Sequence, residues 1–386
     1  MRTVLGLAAA LALGGAAAAQ VPVKPDIPSI LVWSPQQQAD WYRSIESVYK
    51  VETVARGDKV RPLPRAARQI APTWTHAGRS WTVRDYMDAH RVSGVLVLKD
   101  GEILLEEYGL GRGPDDRWTS FSVAKSVTST LAGAAIREGK IASLASPVTD
   151  YIPELKGSGY DGVTVRQLLM MSSGVKWNED YTDPNSDVAR SVSLPIEPGK
   201  NPLVTYMARL PRAHEPGTLF NYNTGETDLV GILVSRAVGK SLAAYASEKI
   251  WRPYGMERDA IWMVDPAGHE RGGCCMSITL RDYGRIGQFM LDGGMADGTP
   301  VLPDGWTTEA TTPQIVKGAP PPGYGYFWWM RPQGGYEARG IFGQGILIVP
   351  GEKLVVVVNS AWPTAVGQDL GAARLALYEA IRAAAK

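Results

Sequence analysis

The sequence predicts a mixed α/β (α+β) fold, in which an antiparallel sheet flanked by helices is interrupted by a mostly helical insertion. A first hairpin is indicated at residues 94–105, where two apolar runs flank the turn Lys99-Asp100-Gly101. Two more strands are indicated near the carboxyl end, around Ile346 and Val355, and helical patterns dominate the segment between the early and late strands. We therefore expect one sheet with an insertion beside it and a pocket at the seam.

The order of these elements predicts how the chain is divided. Residues 92–121 and 300–386 are expected to form the sheet domain, residues 122–299 the helical insertion, and residues 20–91 an N-terminal arm. A last helical pattern, at residues 365–385, is suited to cover the sheet. The chain has 386 residues, of which 45% are hydrophobic, enough for a large buried core.

The first 19 residues are typical of a secretory signal peptide. Arg2 is followed by an apolar stretch rich in alanine and leucine, which ends in three alanines before Gln20. Cleavage after Ala19 predicts a periplasmic or secreted protein with equal numbers of basic and acidic residues. We expect neither stable membrane insertion nor a nucleic-acid partner, because no later apolar span and no basic surface pattern are evident.

A nucleophile beside a base is indicated at Ser122 and Lys125. Apolar residues recur at four-residue steps over residues 122–140, and Gly139 supplies a stop signal, so we expect a helix that begins at Ser122. Side chains three positions apart share a helix face, with about 5–6 Å between Cβ atoms, and the lysine amine can therefore reach the hydroxyl. Burial among apolar neighbours lowers the proton affinity of a lysine, which suits it to act as a base.

The same four residues also fit a helix cap followed by a solvated lysine, because serine is common at helix starts and lysine within helices. A second Ser-x-x-Lys pattern, at Ser47 and Lys50, has no partner motif around it and is interpreted as structural. Two other segments therefore decide between the interpretations.

The first of these segments is the loop around Tyr222, which follows the turn at residues 215–217 and precedes a helical run over residues 225–238. A phenol in such a loop can relay a proton between a nucleophile and a leaving group. A tyrosine that only packs its ring is the alternative.

The second segment, residues 338–359, predicts a strand, a turn at residues 350–353 and another strand. Glycines weaken a strand, so Gly343 and Gly345 indicate that a group such as a substrate carbonyl approaches the backbone closely, with a simple bulge as the alternative. In the first case the backbone amides of Ser122 and Ile346 would form an oxyanion hole.

These three segments, in this order, resemble the serine β-lactamase, penicillin-binding protein and esterase superfamily, whose S-x-x-K, Y-x-[NS] and K-T-G signatures occupy equivalent places. The resemblance runs from about residue 92 to the carboxyl end. It includes residues 165–174, which are similar to the L-L-x-H-x-S-G stretch of the family with Met171 in place of the histidine. Residues 178–184, Tyr222-Asn223-Thr224 and Gly343-Gln344-Gly345 most resemble 6-aminohexanoate-dimer (nylon oligomer) hydrolases and related carboxylesterases.

The resemblance implies a β-lactamase/transpeptidase-like fold in one catalytic domain, which hydrolyses an amide or ester of a small molecule through an acyl-Ser122 intermediate. It implies Lys125 as the base, Tyr222 as the proton relay, and the amides of Ser122 and Ile346 as oxyanion donors. Which of Lys125 and Tyr222 first removes the serine proton stays open, because two coupled groups titrate as a pair.

Departures from the family pattern narrow the expected function. Gly343 replaces the lysine of K-T-G, so the strand lacks the cation expected to hold a β-lactam carboxylate, and efficient β-lactamase activity is not expected. A β-lactamase or D-alanyl-D-alanine peptidase-like enzyme is one alternative, and a non-catalytic penicillin-binding-like sensor is another. An intact Ser122, Lys125 and Tyr222 favours the hydrolase.

Candidate substrate-binding residues lie in an acidic loop and on the late strand. In nylon oligomer hydrolases a corresponding loop contributes an aspartate and a tyrosine to substrate binding, which implies Asp180, Tyr181 and Asp183 as candidates here. On the late strand, Gln344 and Gly345 are the candidates. Such a loop would favour the amino end of a substrate over a carboxylate, and an acidic surface loop without a binding role is the alternative.

The cysteines and histidines indicate no cofactor. Cys274 and Cys275 are adjacent, and neighbouring residues rarely meet disulfide geometry, so two small buried side chains are expected there. The four histidines have no metal-ligand spacing, and no G-x-S-x-G elbow is present. We therefore expect neither a metal site nor a cofactor.

Overall fold

The computed structural model describes residues 27–315 and 317–386; the predicted signal peptide lies outside this range. The chain forms helices at Pro35–Trp41 (α1), Val83–Ala89 (α2), Val123–Arg137 (α3), Val165–Leu169 (α4), Asp187–Arg190 (α5), Pro202–Met207 (α6), Thr224–Val238 (α7), Leu242–Ala246 (α8), Arg252–Tyr254 (α9), Leu280–Leu291 (α10), Trp306–Ala310 (α11) and Gln368–Ala384 (α12). Strands are formed at Val51–Val54 (β1), Thr73–His76 (β2), Arg79–Thr82 (β3), Val92–Lys99 (β4), Glu102–Tyr108 (β5), Arg117–Thr119 (β6), Ala260–Met263 (β7), Met276–Thr279 (β8), Met295–Ala296 (β9), Thr299–Pro300 (β10), Trp329–Met330 (β11), Tyr336–Gly340 (β12), Gln344–Val349 (β13) and Leu354–Ser360 (β14).

The main sheet has six antiparallel strands in the order β11-β12-β13-β14-β4-β5, which brings the early hairpin against the late strands as the sequence predicts. Side chains alternate between its faces. Val355 and Val357 of β14 belong to the cluster that contains α3, α7 and α10, whereas Val356 and Val358 pack with α2 and α12. The predicted α+β class, with helices on an antiparallel sheet, is confirmed.

Two glycines allow α10 to approach the sheet closely. A Cβ atom at Gly284 would lie 2.6 Å from Leu96, and one at Gly287 would lie 2.4 Å from Val355. Both distances are shorter than carbon atoms tolerate, so the helix could not keep this position with larger residues. α10 comes from the predicted insertion segment, and its packing joins that segment to the sheet.

A second, four-stranded sheet in the order β1-β7-β8-β6 positions the residues that follow β6. β1 belongs to the predicted N-terminal arm and pairs with β7 over the register Val51 to Met263, so part of the arm is built into this sheet. β6 pairs with β8 and leads directly into Ser120, Phe121 and Ser122. The predicted boundaries at residues 91, 121 and 299 stay predictions.

The segment expected to be one strand over residues 338–349 is two strands, and this prediction was wrong. β12 and β13 pair with each other in an antiparallel hairpin, with Gly340 opposite Gln344. The chain reverses at Ile341–Gly343, where Phe342 has φ 58° and Gly343 has φ 90°. A left-handed phenylalanine is uncommon, and the apolar run conceals the turn from a pattern-based interpretation.

A buried carboxyl group in α7 makes stability dependent on pH. Glu226 is 1% exposed and accepts a hydrogen bond from Ser173, and burial raises its pKa to about 8 from 4.5. The folded protein therefore holds the proton, whereas the unfolded chain releases it above its ordinary pKa. The contribution of the protonated Glu226 to the free energy of unfolding is fully present below about pH 4.5 and is lost as the pH rises toward about 8.

We expect Glu226→Gln to remove this loss, because glutamine stays neutral at every pH. The melting temperature of the variant should exceed that of the wild type at pH 8, by about 5 °C, and match it near pH 5. Differential scanning calorimetry at both pH values measures the difference, with the exposed Glu215→Gln as a control. A gain of equal size at pH 5 and pH 8 would contradict the assignment to Glu226.

Candidate active site

Ser122 lies at the start of α3, directly after a strained residue. Phe121 has φ 44°, a conformation that costs a non-glycine residue about 1 kcal/mol or more. Its carbonyl accepts a hydrogen bond from the amide of Cys275 at 3.3 Å, and its ring packs edge-on against Tyr42 at 5.2 Å. Neighbouring elements thus hold the turn that presents Ser122, which is 9% exposed, to the adjoining cavity.

Lys125 reaches Ser122 across one helical turn, as its spacing predicts. Its Nζ lies 3.3 Å from Ser122 Oγ, 3.0 Å from Thr224 Oγ1 and 2.7 Å from the carbonyl oxygen of Gly273. The amine is 1% exposed, and burial lowers its pKa to about 8, while the charges of Glu179 and Asp228 oppose that shift. A substantial fraction of the amine is therefore neutral near pH 8, and a neutral amine can accept the serine proton.

The carbonyl that accepts from Lys125 is itself fixed by buried charges. The amide of Gly273 donates to Asp228 Oδ1 at 2.6 Å, and Asp228 Oδ2 accepts from Nε of Arg271 at 3.0 Å. Gly273 thus connects α3 to α7, because it binds Lys125 of α3 through its carbonyl oxygen and Asp228 of α7 through its amide. Neither Asp228 nor Arg271 belongs to a recognisable motif, so neither residue could be predicted from the sequence.

Tyr222 is the third residue of the cluster. Its side chain lines the same cavity as Ser122, and its ring stacks on Trp329 with 5.4 Å between centroids. Lys125 Nζ lies 5.3 Å from the centroid of the same ring. Burial, helped by the nearby Glu179 carboxylate, raises the pKa of Tyr222 far above its usual value, so the phenol keeps its proton at neutral pH.

Glu179 organises this cluster from the acidic loop. Its carboxylate accepts hydrogen bonds from the amide of Thr224 at 3.0 Å, from the Thr224 hydroxyl, from the Trp177 indole, and from Tyr181 at 2.9 Å. The Thr224 hydroxyl donates to Glu179 and accepts from Lys125, so it links the carboxylate to the amine. No sequence pattern indicates this role of Glu179, because its partner Thr224 lies 45 positions later in the chain.

A cavity of about 480 Å³ opens beside Ser122. Its wall includes aromatic, basic and acidic side chains, among them Glu179, Tyr181, Tyr222, Trp329, Arg339 and Arg374. A smaller cavity of about 50 Å³ also borders Ser122 and is lined in part by Leu31, Val192 and Met263. Ser122 thus lines two cavities.

The structure does not place Ile346 at this site. Ile346 lies inside β13, which is paired on one side with β12 and on the other with β14, so its backbone amide belongs to the sheet. Gln344 is fully buried, and its amide nitrogen donates to the carbonyl of Ser360 at 2.7 Å. A Cβ atom at Gly345 would meet Tyr378 at 2.6 Å, so this glycine makes room for protein rather than for substrate.

The strand end that borders Ser122 is Gly340, followed by Ile341. A Cβ atom at Gly340 would lie 2.4 Å from the carbonyl oxygen of Ser120, so only glycine allows β12 to approach the turn before the nucleophile. Ile341 lines both cavities that touch Ser122 or its neighbours. The unexpected hairpin turn moves the site from the beginning of β13 to the end of β12 and makes Ile341, rather than Ile346, the candidate partner of the Ser122 amide.

Of the three candidate residues in the acidic loop, only one lies in the wall of the main cavity. Tyr181 lines the main cavity. Asp180 is exposed and accepts from the amide of Thr182, and Asp183 accepts from the amide of Asn185 at 2.8 Å, so both aspartates stabilise turns of the loop. Neither belongs to the cavity wall, and the loop reaches the site through Glu179 and Tyr181 instead.

Cys274 and Cys275 are joined as a disulfide, contrary to the expectation of two unbridged side chains. The pair precedes β8, and Cys274 borders the smaller cavity. Within residues 27–315 and 317–386, no cluster of three or more histidine, cysteine, aspartate or glutamate side chains is arranged to hold a metal ion. In the same ranges no individual helix has the length and apolarity to cross a bilayer, although α7 and the helical segment after it meet those criteria as a bent pair.

Comparison with known proteins gives a consistent result. A model of the Beta-lactamase family matches residues 80–380. A 6-aminohexanoate-dimer hydrolase from Paenarthrobacter ureafaciens is 33% identical over 352 residues, which cover 87% of this chain and 88% of that protein. A Beta-lactamase from Pseudomonas fluorescens is 24% identical over 54% of each chain.

Solved structures show the same fold. A Bacillus anthracis protein provisionally assigned as a 6-aminohexanoate-dimer hydrolase has a TM-score of 0.78 and 25% identity, over 89% of this chain and 93% of that one. A family VIII carboxylesterase has a TM-score of 0.58 and 18% identity, over 77% of this chain and 96% of that one. At this identity the similarity supports the fold but no functional role. The predicted family resemblance is confirmed. The chain belongs to the Beta-lactamase family and is a serine hydrolase of the amidase or esterase type.

Proposed function

We propose that the protein hydrolyses an amide or ester bond of a small molecule through an acyl-enzyme intermediate on Ser122. The observation that supports this most directly is the position of Ser122 Oγ, which lies 3.3 Å from the buried amine of Lys125 and in a cavity that the Tyr222 side chain also lines. A hydroxyl beside a base, with a proton donor in the same cavity, is the arrangement that nucleophilic acyl transfer requires.

The two groups divide the proton transfers. Lys125, with its pKa lowered to about 8, takes the serine proton as Oγ attacks the substrate carbonyl. Tyr222 is protonated at neutral pH and donates its proton to the leaving group as the bond between that group and the carbonyl carbon breaks, and the proton held by Lys125 then returns to the phenolate. Water attacks the acyl carbonyl and gives one proton to Lys125, and this proton passes to Ser122 Oγ as its bond to the acyl carbon breaks, which releases the acid and restores free Ser122. In this scheme Lys125, and not Tyr222, first removes the proton of Ser122.

The oxyanion donors are the backbone amides of Ser122 and Ile341. Ser122 is at the N-terminal end of α3, where the helix favours negative charge, and Ile341 follows the close contact of Gly340 with Ser120. Preorganised donors of this kind contribute about 3–4 kcal/mol each in acyl transfer. Ile341 replaces the Ile346 assignment, since Ile346 is committed to the sheet.

The substrate class is tested with two compounds. The relative at 33% identity is a 6-aminohexanoate-dimer hydrolase, which makes the linear 6-aminohexanoate dimer the natural amide to try beside a p-nitrophenyl short-chain ester. The ratio of the two kcat/KM values separates an amidase from an esterase. Hydrolysis of neither compound, without acylation of Ser122, would contradict the proposed function and favour a ligand-holding protein.

Glu179→Gln is expected to move the pH profile. The Glu179 carboxylate attracts the ammonium form of Lys125 and opposes the lowering of its pKa. Removal of the charge lowers the pKa of Lys125 further, so the rising limb of kcat/KM should shift to lower pH. The profile of the ester reaction measures the shift. Asp180→Asn removes a charge from the next residue outside the cavity wall and should leave the limb in place.

We also propose that the chain is exported and cleaved after Ala19. The support is the basic and apolar pattern of residues 1–19 together with the three alanines before Gln20. N-terminal sequencing of the protein recovered from outside the cytoplasm should begin at Gln20. Full-length protein retained with Met1 would contradict this proposal.

A further inference from the structure

The smaller cavity beside Ser122, of about 50 Å³, has no role in the reaction scheme so far. Its wall includes the apolar side chains of Ile30, Leu31, Val188, Val192, Met263 and Ile341. The first two come from the N-terminal arm and lie outside residues 80–380, the segment that the family model matches. The arm therefore takes part in forming the surroundings of the nucleophile.

An aromatic cluster holds the arm in this place. Trp33 is 4% exposed, and its ring lies 5.8 Å from that of Tyr42, which packs edge-on against Phe121. Phe121 directly precedes Ser122 in the chain. Leu31 lies two residues before Trp33, so the arm residue that lines the cavity is fixed relative to the nucleophile.

The polar side chains in the wall of the smaller cavity are already bound to protein groups. The hydroxyls of Thr224 and Tyr181 donate to Glu179. Nε of Arg271 donates to Asp228 at 3.0 Å, and the Arg271 side chain is only 9% exposed. An occupant of this cavity would therefore gain free energy mainly from burial of apolar surface, which favours a hydrocarbon group over a charged one.

The position of Tyr222 indicates which part of the substrate enters the smaller cavity. Tyr222 lines the main cavity and not the smaller one. Since Tyr222 protonates the leaving group in the proposed scheme, the leaving group occupies the main cavity. Ser122, Tyr181 and Ile341 line both cavities, so a carbonyl carbon bound to Ser122 can direct its other substituent, the acyl chain, into the smaller one.

The size of the smaller cavity limits the acyl chain. A volume of about 50 Å³ holds only a few groups of the size of a water molecule or a methylene. A third cavity, of about 370 Å³, lies next to it, and Val192 and Met263 line both. The space at Ser122 therefore suits a short unbranched chain, and a longer chain would have to pass these two side chains.

We propose that the smaller cavity binds the acyl part of the substrate as a short unbranched aliphatic chain, and that Leu31 of the N-terminal arm is a specificity-determining residue in it. This inference rests on the proposed function, because it assigns the acyl group of the same reaction. Burial of one methylene strengthens binding about fourfold, so kcat/KM should rise with acyl length until the cavity is full.

The test varies the acyl chain at a constant leaving group. The ratio of kcat/KM for p-nitrophenyl hexanoate to that for p-nitrophenyl acetate is measured in each variant, and comparison between variants cancels the intrinsic reactivity of the two esters. Leu31→Trp fills the cavity and should lower this ratio by about tenfold. Val32→Trp adds the same side chain at the next position, which is 67% exposed and lines neither cavity, and should keep the ratio within about twofold.

A second series varies the alcohol instead of the acyl chain. Leu31→Trp should leave the ratio of kcat/KM for hexyl acetate to that for ethyl acetate unchanged, because the alcohol occupies the main cavity. Equal hexanoate-to-acetate ratios in the wild type and Leu31→Trp, an equal loss in Val32→Trp, or a loss confined to hexyl acetate would overturn the proposal.

Val192→Ala tests the same cavity in the opposite direction and does not depend on the folding of Leu31→Trp. It widens the wall shared with the third cavity and should raise the ratio of kcat/KM for p-nitrophenyl octanoate to that for the hexanoate. An unchanged ratio in this variant would count against the acyl subsite. Hydrolysis of none of these esters by the wild type would instead contradict the proposed function itself, and the inference with it.

Discussion

Ser122→Ala is expected to reduce kcat for ester or amide hydrolysis by about 10⁴-fold or more, the scale seen when a serine nucleophile is removed. The hydroxyl lies 3.3 Å from the amine of Lys125 and lines the same cavity as Tyr222, so its removal leaves the site without the proposed nucleophile. Alanine fits the space, so the fold should be retained. Residual activity would come from binding and the oxyanion donors alone.

A matched control comes from the same helix. Ser129 is fully buried, and its hydroxyl has no hydrogen-bond partner among the residues that the structure describes, so Ser129→Ala removes a hydroxyl without breaking a hydrogen bond observed there. The control should keep wild-type kcat/KM within about twofold. Comparable loss in both variants would show that the effect comes from α3 packing and not from a nucleophile at Ser122.

Lys125→Met is expected to lower kcat/KM by about 10³-fold, within the range of a lost general base. Methionine approximates the shape of the buried lysine but cannot accept the serine proton. In the wild type, kcat/KM should rise with pH and level off above about pH 8, because the neutral form of Lys125 is the active one. That rising limb should disappear in the variant.

The exposed Lys140, shortly after the end of α3, gives the control for Lys125→Met. Lys140→Met removes the same charge from solvent and should preserve both the rate and the pH profile. The melting temperature of both variants must also be measured, because Lys125 donates hydrogen bonds to Thr224 and Gly273 and its loss can destabilise the fold. A folded Lys125→Met enzyme with a normal rate and an unchanged rising limb would exclude Lys125 as the base.

The features that could be predicted from the sequence are those encoded locally. The spacing of Ser122 and Lys125 on a helix determines their proximity, and the nearly continuous apolar runs of β4 and β14 indicate strands that are buried on both faces. Both follow from the periods of helix and strand. Tyr222 required the family pattern as well, because nothing in its own loop indicates which residue it will contact.

The features that could not be predicted depend on a single turn and on distant contacts. Phe342 adopts a left-handed conformation inside an apolar run, so the sequence pattern predicts one strand where a hairpin joins β12 and β13, and it predicts Ile346 at the place where Ile341 lies. Glu179 meets Thr224, and Arg339 meets Trp329, only after the chain has folded. Electrostatic partners of this kind leave no periodic trace in the sequence.

The most direct test of the central claim is detection of the acyl-enzyme on Ser122. The mature protein would be mixed with a p-nitrophenyl ester, quenched in acid during turnover, digested with trypsin and analysed by mass spectrometry. We predict an added acyl mass on the peptide at residues 118–125, located by fragmentation to Ser122 and absent from Ser122→Ala. Turnover with the acyl group on another residue, or with no covalent adduct under conditions where acylation outpaces hydrolysis, would contradict the account.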